Sequence, residues 1–133
     1  MLETYPGVVK LVYKNLPLRS HQFAWLAAVA ALAADKQDKF WEFHDELYKN
    51  YNRLSKQKIR EIAQQVELNM EAFDKDLLDP EIKAIIQRDM REGAEAGVQG
   101  IPTIFINGRL LRNRSFAGFQ AVIEKQLSKA NKR

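Results

Sequence analysis

The residues that could do chemistry in this sequence are few, and the types that are missing say as much as those present. None of the 133 residues is a cysteine. A thiolate nucleophile, a thiolate zinc site, a disulfide framework and dithiol redox chemistry by this polypeptide as it stands are therefore excluded. His21 and His44 lack the i, i+4 pairing of a helical metal site. His44 falls with Phe40, Phe43, Leu47 and Tyr48 on one apolar helix face, the place of a satisfied, partly buried histidine. Asp35, Asp38, Glu42, Asp45 and Glu46 have the spacing of a solvated helix face, and no partner for general acid–base work is identifiable. Asp74, Asp76 and Asp79 lack the glycine and terminal glutamate of a calcium loop. Gly93, Gly97 and Gly100 are not followed by the Lys-Ser/Thr of a phosphate loop. Trp25 and Trp41 read as core or groove-lining residues. No cofactor, no metal site and no catalytic residue is expected.

The informative segment is Gly97 to Gly108, GVQGIPTIFING. Pro102 sits directly before the apolar run Thr103-Ile104-Phe105-Ile106, where a ladder donor is ordinarily needed. A cis Ile101–Pro102 bond accounts for this by turning the chain and leaving the Ile101 backbone free to pair with an extended peptide. A trans proline that simply begins a strand fits the local sequence as well. Asn107-Gly108 then predicts a tight type I′ hairpin.

The elements that must position this segment follow from periodicity and caps. Val8 to Tyr13, VVKLVY, predicts a strand buried on both faces. Ser20 is expected to cap a helix running to about Asp35 through an alanine-rich body. Asp38 is expected to cap the next helix, and Tyr51 to Leu54 reads as a turn. Ser55 caps a third helix with Ile59, Ile62, Ala63 and Val66 inward. Asn69 opens a short fourth helix carrying Met70, Phe73 and Leu77. Asp79-Pro80-Glu81 is a helix start, with Ile82, Ile85, Ile86, Met90 and Ala94 inward and Gly93 or Gly97 at the end. Arg109-Leu110-Leu111 returns as the hairpin partner. Ser115 caps a last helix, with Phe119, Val122, Ile123 and Leu127 inward. The order is strand, helices, hairpin, helix, so a long helical block is inserted into a small α/β core.

Composition sets the outer limits. A chain of this length supports one real core, and 46% hydrophobic with 29% charged residues is ordinary globular usage. The net charge of +4 is spread over helix faces. Its clearest runs are Arg109, Arg112 and Arg114 and the tail Lys129, Lys132 and Arg133. A nucleic-acid footprint needs a denser stripe with aromatic platforms, so no nucleic-acid partner is expected. Phe23 to Ala34 is too short to span a bilayer, so no membrane association is expected. Met1 to Tyr5 lacks the basic start of a signal peptide.

GIPTIFINGRLL resembles the cis-proline loop and following hairpin of the thioredoxin fold. With YPGVVKLVYKNLPL, FAWLAAVAALAADKQDKFWEFHDELYKN and the EAGVQG approach, it resembles the DsbA-like thiol:disulfide oxidoreductases, in order and over essentially the whole chain. The resemblance implies an α/β, thioredoxin-like single domain, with a helical insertion over about 20–97 and a C-terminal hairpin and helix over about 98–130. It implies that Pro102 matches the cis proline, and that Ile101, Pro102 and Thr103 bind the substrate peptide. Phe40, Trp41, Phe43 and His44 match the aromatic stretch of the insertion. Protein or peptide substrates and a periplasmic or extracytoplasmic location are also implied.

The departure is the family's Cys-x-x-Cys. It belongs to a helix start following the first core strand, and too few residues precede Val8 to hold it. The expectation is an N-terminally truncated member without redox cysteines. The missing strand would lie between those at Val8 and Ile104. The Val8 strand is then expected to slide across, to self-associate as a homodimer through exposed edges, or to leave the chain marginally stable; self-association is favoured. Two functions fit: a fragment of a thiol:disulfide interchange enzyme, or a redox-inactive, chaperone-like peptide-binding module. A glutathione-using relative is a weaker third.

Overall fold

The computed structural model describes residues 1–132; Arg133, the end of the basic tail, lies outside the described residues. The chain divides into two compact units, one of Lys14–Gly97 and one of Met1–Tyr13 with the stretch from Val98 onward.

The first unit is helical: α1 (Ala24–Asp35), α2 (Phe40–Lys49), α3 (Lys56–Gln65), α4 (Met70–Asp76) and α5 (Pro80–Glu95). Its centre is α1, which packs against all four other helices. Ala30, Ala33 and Ala34 are fully buried; a run of methyl side chains lets neighbouring helices approach closely. Phe43, Ile59, Ile62, Phe73, Ile82 and Ile86 fill the space around it, and the Phe43 and Phe73 rings meet at 6.1 Å between centroids.

Three of the expected caps in this unit form. Ser55 accepts from the Lys58 N–H, Asn69 from Ala72 and Asp79 from Glu81. Two do not. Ser20 lies in a turn ahead of α1, whose N-cap is Phe23 with no side-chain cap. Consecutive turns seed the helix instead, with His21 N–H bonded to Leu18 O and Ala24 N–H to His21 O, each at 3.1 Å. The high propensity of the alanine body makes a polar cap dispensable. Asp38 has φ +58°, and Lys39 N–H closes back on Ala34 O at 3.0 Å. Asp38 thus ends α1 rather than starting α2, a role open to aspartate because it tolerates the left-handed region. Glu67, at φ +62°, ends α3 in the same way through Leu68 N–H to Ala63 O. Gly97 takes the left-handed position after α5. Ile85 and Ala94, expected inward on α5, are exposed; the buried face runs instead through Ile82, Ile86 and Asp89, at i, i+4 and i+7.

Asp89 is only 4% exposed. Its Oδ2 accepts from the Asn15 backbone N–H at 3.0 Å and from Asn15 Nδ2 at 2.9 Å. Its Oδ1 has no hydrogen bond among the described residues; Arg88 and Lys14 stand 3.7 and 3.8 Å away. The buried carboxylate therefore fixes the start of the unit by satisfying two donors of one residue.

The second unit contains β1 (Phe105–Ile106), β2 (Arg109–Leu110) and α6 (Phe116–Ala130). The strands pair antiparallel, Phe105 opposite Leu110 and Ile106 opposite Arg109, and are shorter than the expected Thr103–Ile106 and Arg109–Leu111. Leu111 N–H still bonds Ile104 O at 2.8 Å. Ser115 caps α6 by accepting from Gly118 N–H. Tyr5, Leu111 and Ile123 are its buried apolar residues. The Tyr5 hydroxyl donates to Glu124 at 2.7 Å, and that carboxylate raises the phenol above its ordinary pKa.

The expected strand at Val8–Tyr13 does not form. The sheet of the described residues has two strands, β1 and β2, so a slide of this segment onto the Ile104 strand, one of the three expected outcomes, is not adopted. Nor is it buried on both faces: Val8, Leu11 and Val12 are 55%, 55% and 61% exposed. β-Branched composition suits a pleated, half-buried surface, and outside a strand ladder it does not by itself make a strand.

Two outcomes follow. Asp89→Ala strands both Asn15 donors in a buried site and is expected to lower unfolding stability by about 3 kcal/mol in urea titration. Asp89→Asn keeps an acceptor and should cost less. Asp79 is held below the ordinary carboxylate pKa by Lys36 and by the Glu81 N–H, and Lys36 is correspondingly raised. The unfolded carboxyl binds its proton first as pH falls, so the Asp79 contribution is complete above the unfolded pKa of about 3.9 and is lost through the lower folded value. The urea midpoint should therefore fall below about pH 4, and less steeply in Asp79→Asn.

Candidate peptide-binding loop

Ile101, Pro102 and Thr103 form an exposed loop ahead of β1. The Ile101–Pro102 peptide bond is cis. Thr103 Oγ1 donates to Gly100 O at 2.6 Å, closing the loop on itself. From the other side Arg114 Nη1 donates to Pro102 O at 2.8 Å. Ile101 is 57% exposed, and neither its backbone N–H nor its carbonyl has a partner among the described residues. A donor and an acceptor left open on one exposed residue can pair with the main chain of an extended polypeptide.

The hairpin behind the loop turns as its sequence requires. Asn107 and Gly108 have φ of +49° and +77°, the two positive values of a type I′ turn. The return strand leads to Asn113, whose Oδ1 accepts from the Ser115 N–H. Gly118, buried in α6, lies against Asn113: a Cβ there would stand 2.1 Å from the Asn113 carbonyl oxygen. Arg114 follows Asn113 directly in this connection and reaches Pro102 from it.

The other residues singled out in the sequence lie in the helical unit. Phe40, Trp41 and His44 form a ring cluster on α2, with centroids 5.0 Å apart for Phe40–Trp41 and 5.3 Å for Trp41–His44. His44 Nδ1 is 3.3 Å from Asp45 Oδ1, and Tyr48 stacks 4.6 Å away. Phe43 points instead into the core. His21 and Trp25 line a cavity of about 440 Å³ with Pro17, Leu18, Arg19 and Met90. Among the described residues no group of three or more His, Asp or Glu could hold a metal ion, and no helix is long and apolar enough to cross a membrane.

Sequence reasoning missed Arg114, Gly118 and Asp89. Gly118 had a signal, since a glycine inside a helix is costly and points to a packing reason. Arg114 had none beyond being one of three nearby arginines, and Asp89 was hidden among the charges of α5.

The fold and its comparisons define a thioredoxin-like protein. A family model described as thioredoxin matches residues 1–125. A thioredoxin-like oxidoreductase from Silicibacter pomeroyi superposes with a TM-score of 0.71 at 28% identity, covering 92% of this chain and 69% of that one. A probable disulfide bond formation protein D from Bacillus cereus is 33% identical over 132 residues, covering 92% of this chain and 60% of the relative. A Na(+)/H(+) antiporter, NhaA 3 of Salinispora tropica, is 35% identical over 102 residues, 76% of this chain and 16% of that protein. The chain belongs to the thioredoxin family, in its DsbA-like branch. It spans 60% of the length of the B. cereus protein and a much smaller part of the antiporter.

Gly118→Ala forces the Asn113 backbone away from α6. It is expected to destabilise the chain by about 1–3 kcal/mol in urea titration, as overpacking of a tight contact does. Deuterium exchange at β2 and the first turn of α6 should rise, with exchange in α1 unchanged.

Proposed function

We propose that this chain is the substrate-holding part of a thiol:disulfide interchange protein, and that it carries no redox step of its own. The observation that carries the reading is Ile101, exposed and with both backbone groups open, in a loop closed by Thr103 and Arg114. Membership of the DsbA-like branch supports it, as does the printed description of the B. cereus relative. On this reading Ile101 pairs by backbone hydrogen bonds with an extended segment of a substrate protein. Pro102 restricts the loop, and Thr103 holds it to Gly100. Dithiol exchange needs a thiolate attacking a disulfide, and this sequence contains no cysteine to supply one. The alternative, a redox-inactive chaperone-like module, draws on that same absence and uses the same loop. An extracytoplasmic location and a second copy of this chain as a partner belong to the proposal as well.

An unfolded, fluorescein-labelled peptide should bind the chain in an anisotropy titration. Pro102→Ala frees φ at 102 and adds an N–H; it should weaken binding about tenfold or more. Ile101→Ala leaves the backbone pairing intact and should cost less. The chain should not catalyse insulin reduction by dithiothreitol. Peptide binding absent from the wild type, or unaffected by Pro102→Ala, overturns the reading.

A further inference from the structure

Charge is divided unequally between the two units. Lys14–Gly97 contains thirteen basic and fifteen acidic side chains, whereas Met1–Tyr13 with the stretch from Val98 onward contains eight basic and two acidic ones. The first is close to neutral; the second, with the loop, carries nearly all the excess. Its two acids do not neutralise the arginines. Glu124 accepts the Tyr5 hydroxyl, and Glu3 lies in the N-terminal turn. Arg109, Arg112 and Arg114 are exposed, and none is in an ion pair among the described residues.

Arg114 joins this charge to the loop. One of its guanidinium nitrogens donates to Pro102 O at 2.8 Å. A guanidinium has five N–H donors in a fixed fork, so the group is anchored beside Ile101 with donors to spare. Anchoring removes much of the entropy an exposed arginine otherwise loses when it meets a carboxylate. Apolar surface lies within the same unit. Phe105 and Leu110 face each other across the hairpin and are both exposed, as are Ile101 and Phe116.

We infer that Arg114, supported by Arg109 and Arg112, makes the Ile101–Thr103 loop selective for acidic polypeptide segments in which Asp or Glu alternate with apolar residues. The inference rests on the peptide-binding reading above and adds the substrate class to it. A polypeptide is the occupant that fits, because the open N–H and C=O of Ile101 match another main chain, which a nucleic acid lacks. The carboxylates supply what the arginines lack, and complementary charge of this kind sets partner choice.

The test uses the full chain and three labelled peptides of equal length and apolar content: acidic, neutral and basic. A single-stranded oligonucleotide of the same charge as the acidic peptide is the fourth probe. The acidic peptide is expected to bind about tenfold tighter than the neutral one at low salt, with the advantage shrinking in 0.5 M salt as screening shortens its range, at about 0.5 M. Arg114→Gln should reduce the advantage to about threefold or less; Arg114→Lys should keep part of it. Arg109→Gln/Arg112→Gln, which leaves the Pro102 bond intact, should lower the advantage without altering neutral-peptide affinity. Equal affinity for all three peptides overturns the selectivity and leaves the peptide-binding reading standing. Parallel loss of acidic and neutral binding in Arg114→Gln, with no change in the double variant, overturns it too and leaves Arg114 a structural brace. An oligonucleotide bound as tightly as the acidic peptide overturns it in favour of a general polyanion surface. Binding of no peptide overturns both.

Discussion

The helical unit depends on the narrowness of α1. Its buried residues are almost all alanine, so four other helices can reach one axis. Larger side chains then come from the partners: Phe43 from α2, Ile59 and Ile62 from α3, Phe73 from α4, Ile82 and Ile86 from α5. This one-sided division of volume is how a short chain reaches close packing without strain. Polar bonds tie the ends of the helices once the core has placed them. Gln37 and Asn69 exchange hydrogen bonds between side chain and backbone, and Lys36 reaches both Asp76 and Asp79.

The second unit works with much less core and relies on backbone geometry. A two-residue ladder is marginal on its own. The hairpin is held by its Asn107-Gly108 turn, by the added bond from Leu111 to Ile104, and by the glycine that allows α6 to lie against Asn113. The loop at Ile101 inherits its shape from these contacts, because Arg114, a residue of the hairpin-to-helix connection, is what braces Pro102.

The chain belongs to the thioredoxin family, and its sequence contains no cysteine. In the second unit an open backbone pair at Ile101, exposed apolar side chains and a local excess of positive charge occur together. Holding a polypeptide in extended form separates from exchanging its disulfides, since the first needs hydrogen bonds and the second a thiolate.

Much of this was legible in the sequence. The caps at Ser55, Asn69, Asp79 and Ser115, the Asn-Gly hairpin and the inward residues of α3 are local features, set by neighbours within one turn of helix or hairpin. The misses were not local. Ser20 and Asp38 have the chemistry of N-caps, and only the packed chain decides that turns start α1 and that Asp38 closes it. Val8 to Tyr13 has strand composition, yet a strand exists only with a partner, and partners are assigned by tertiary structure. Asp89 looks like any helix-surface acid until Asn15 arrives from far along the chain to bond it, and Arg114 joins the loop through a bond to Pro102, twelve residues away in sequence. Sequence determined the local conformations and the chemistry that is absent; tertiary structure alone decided which polar groups meet, because meeting depends on distances between residues that the chain itself keeps apart.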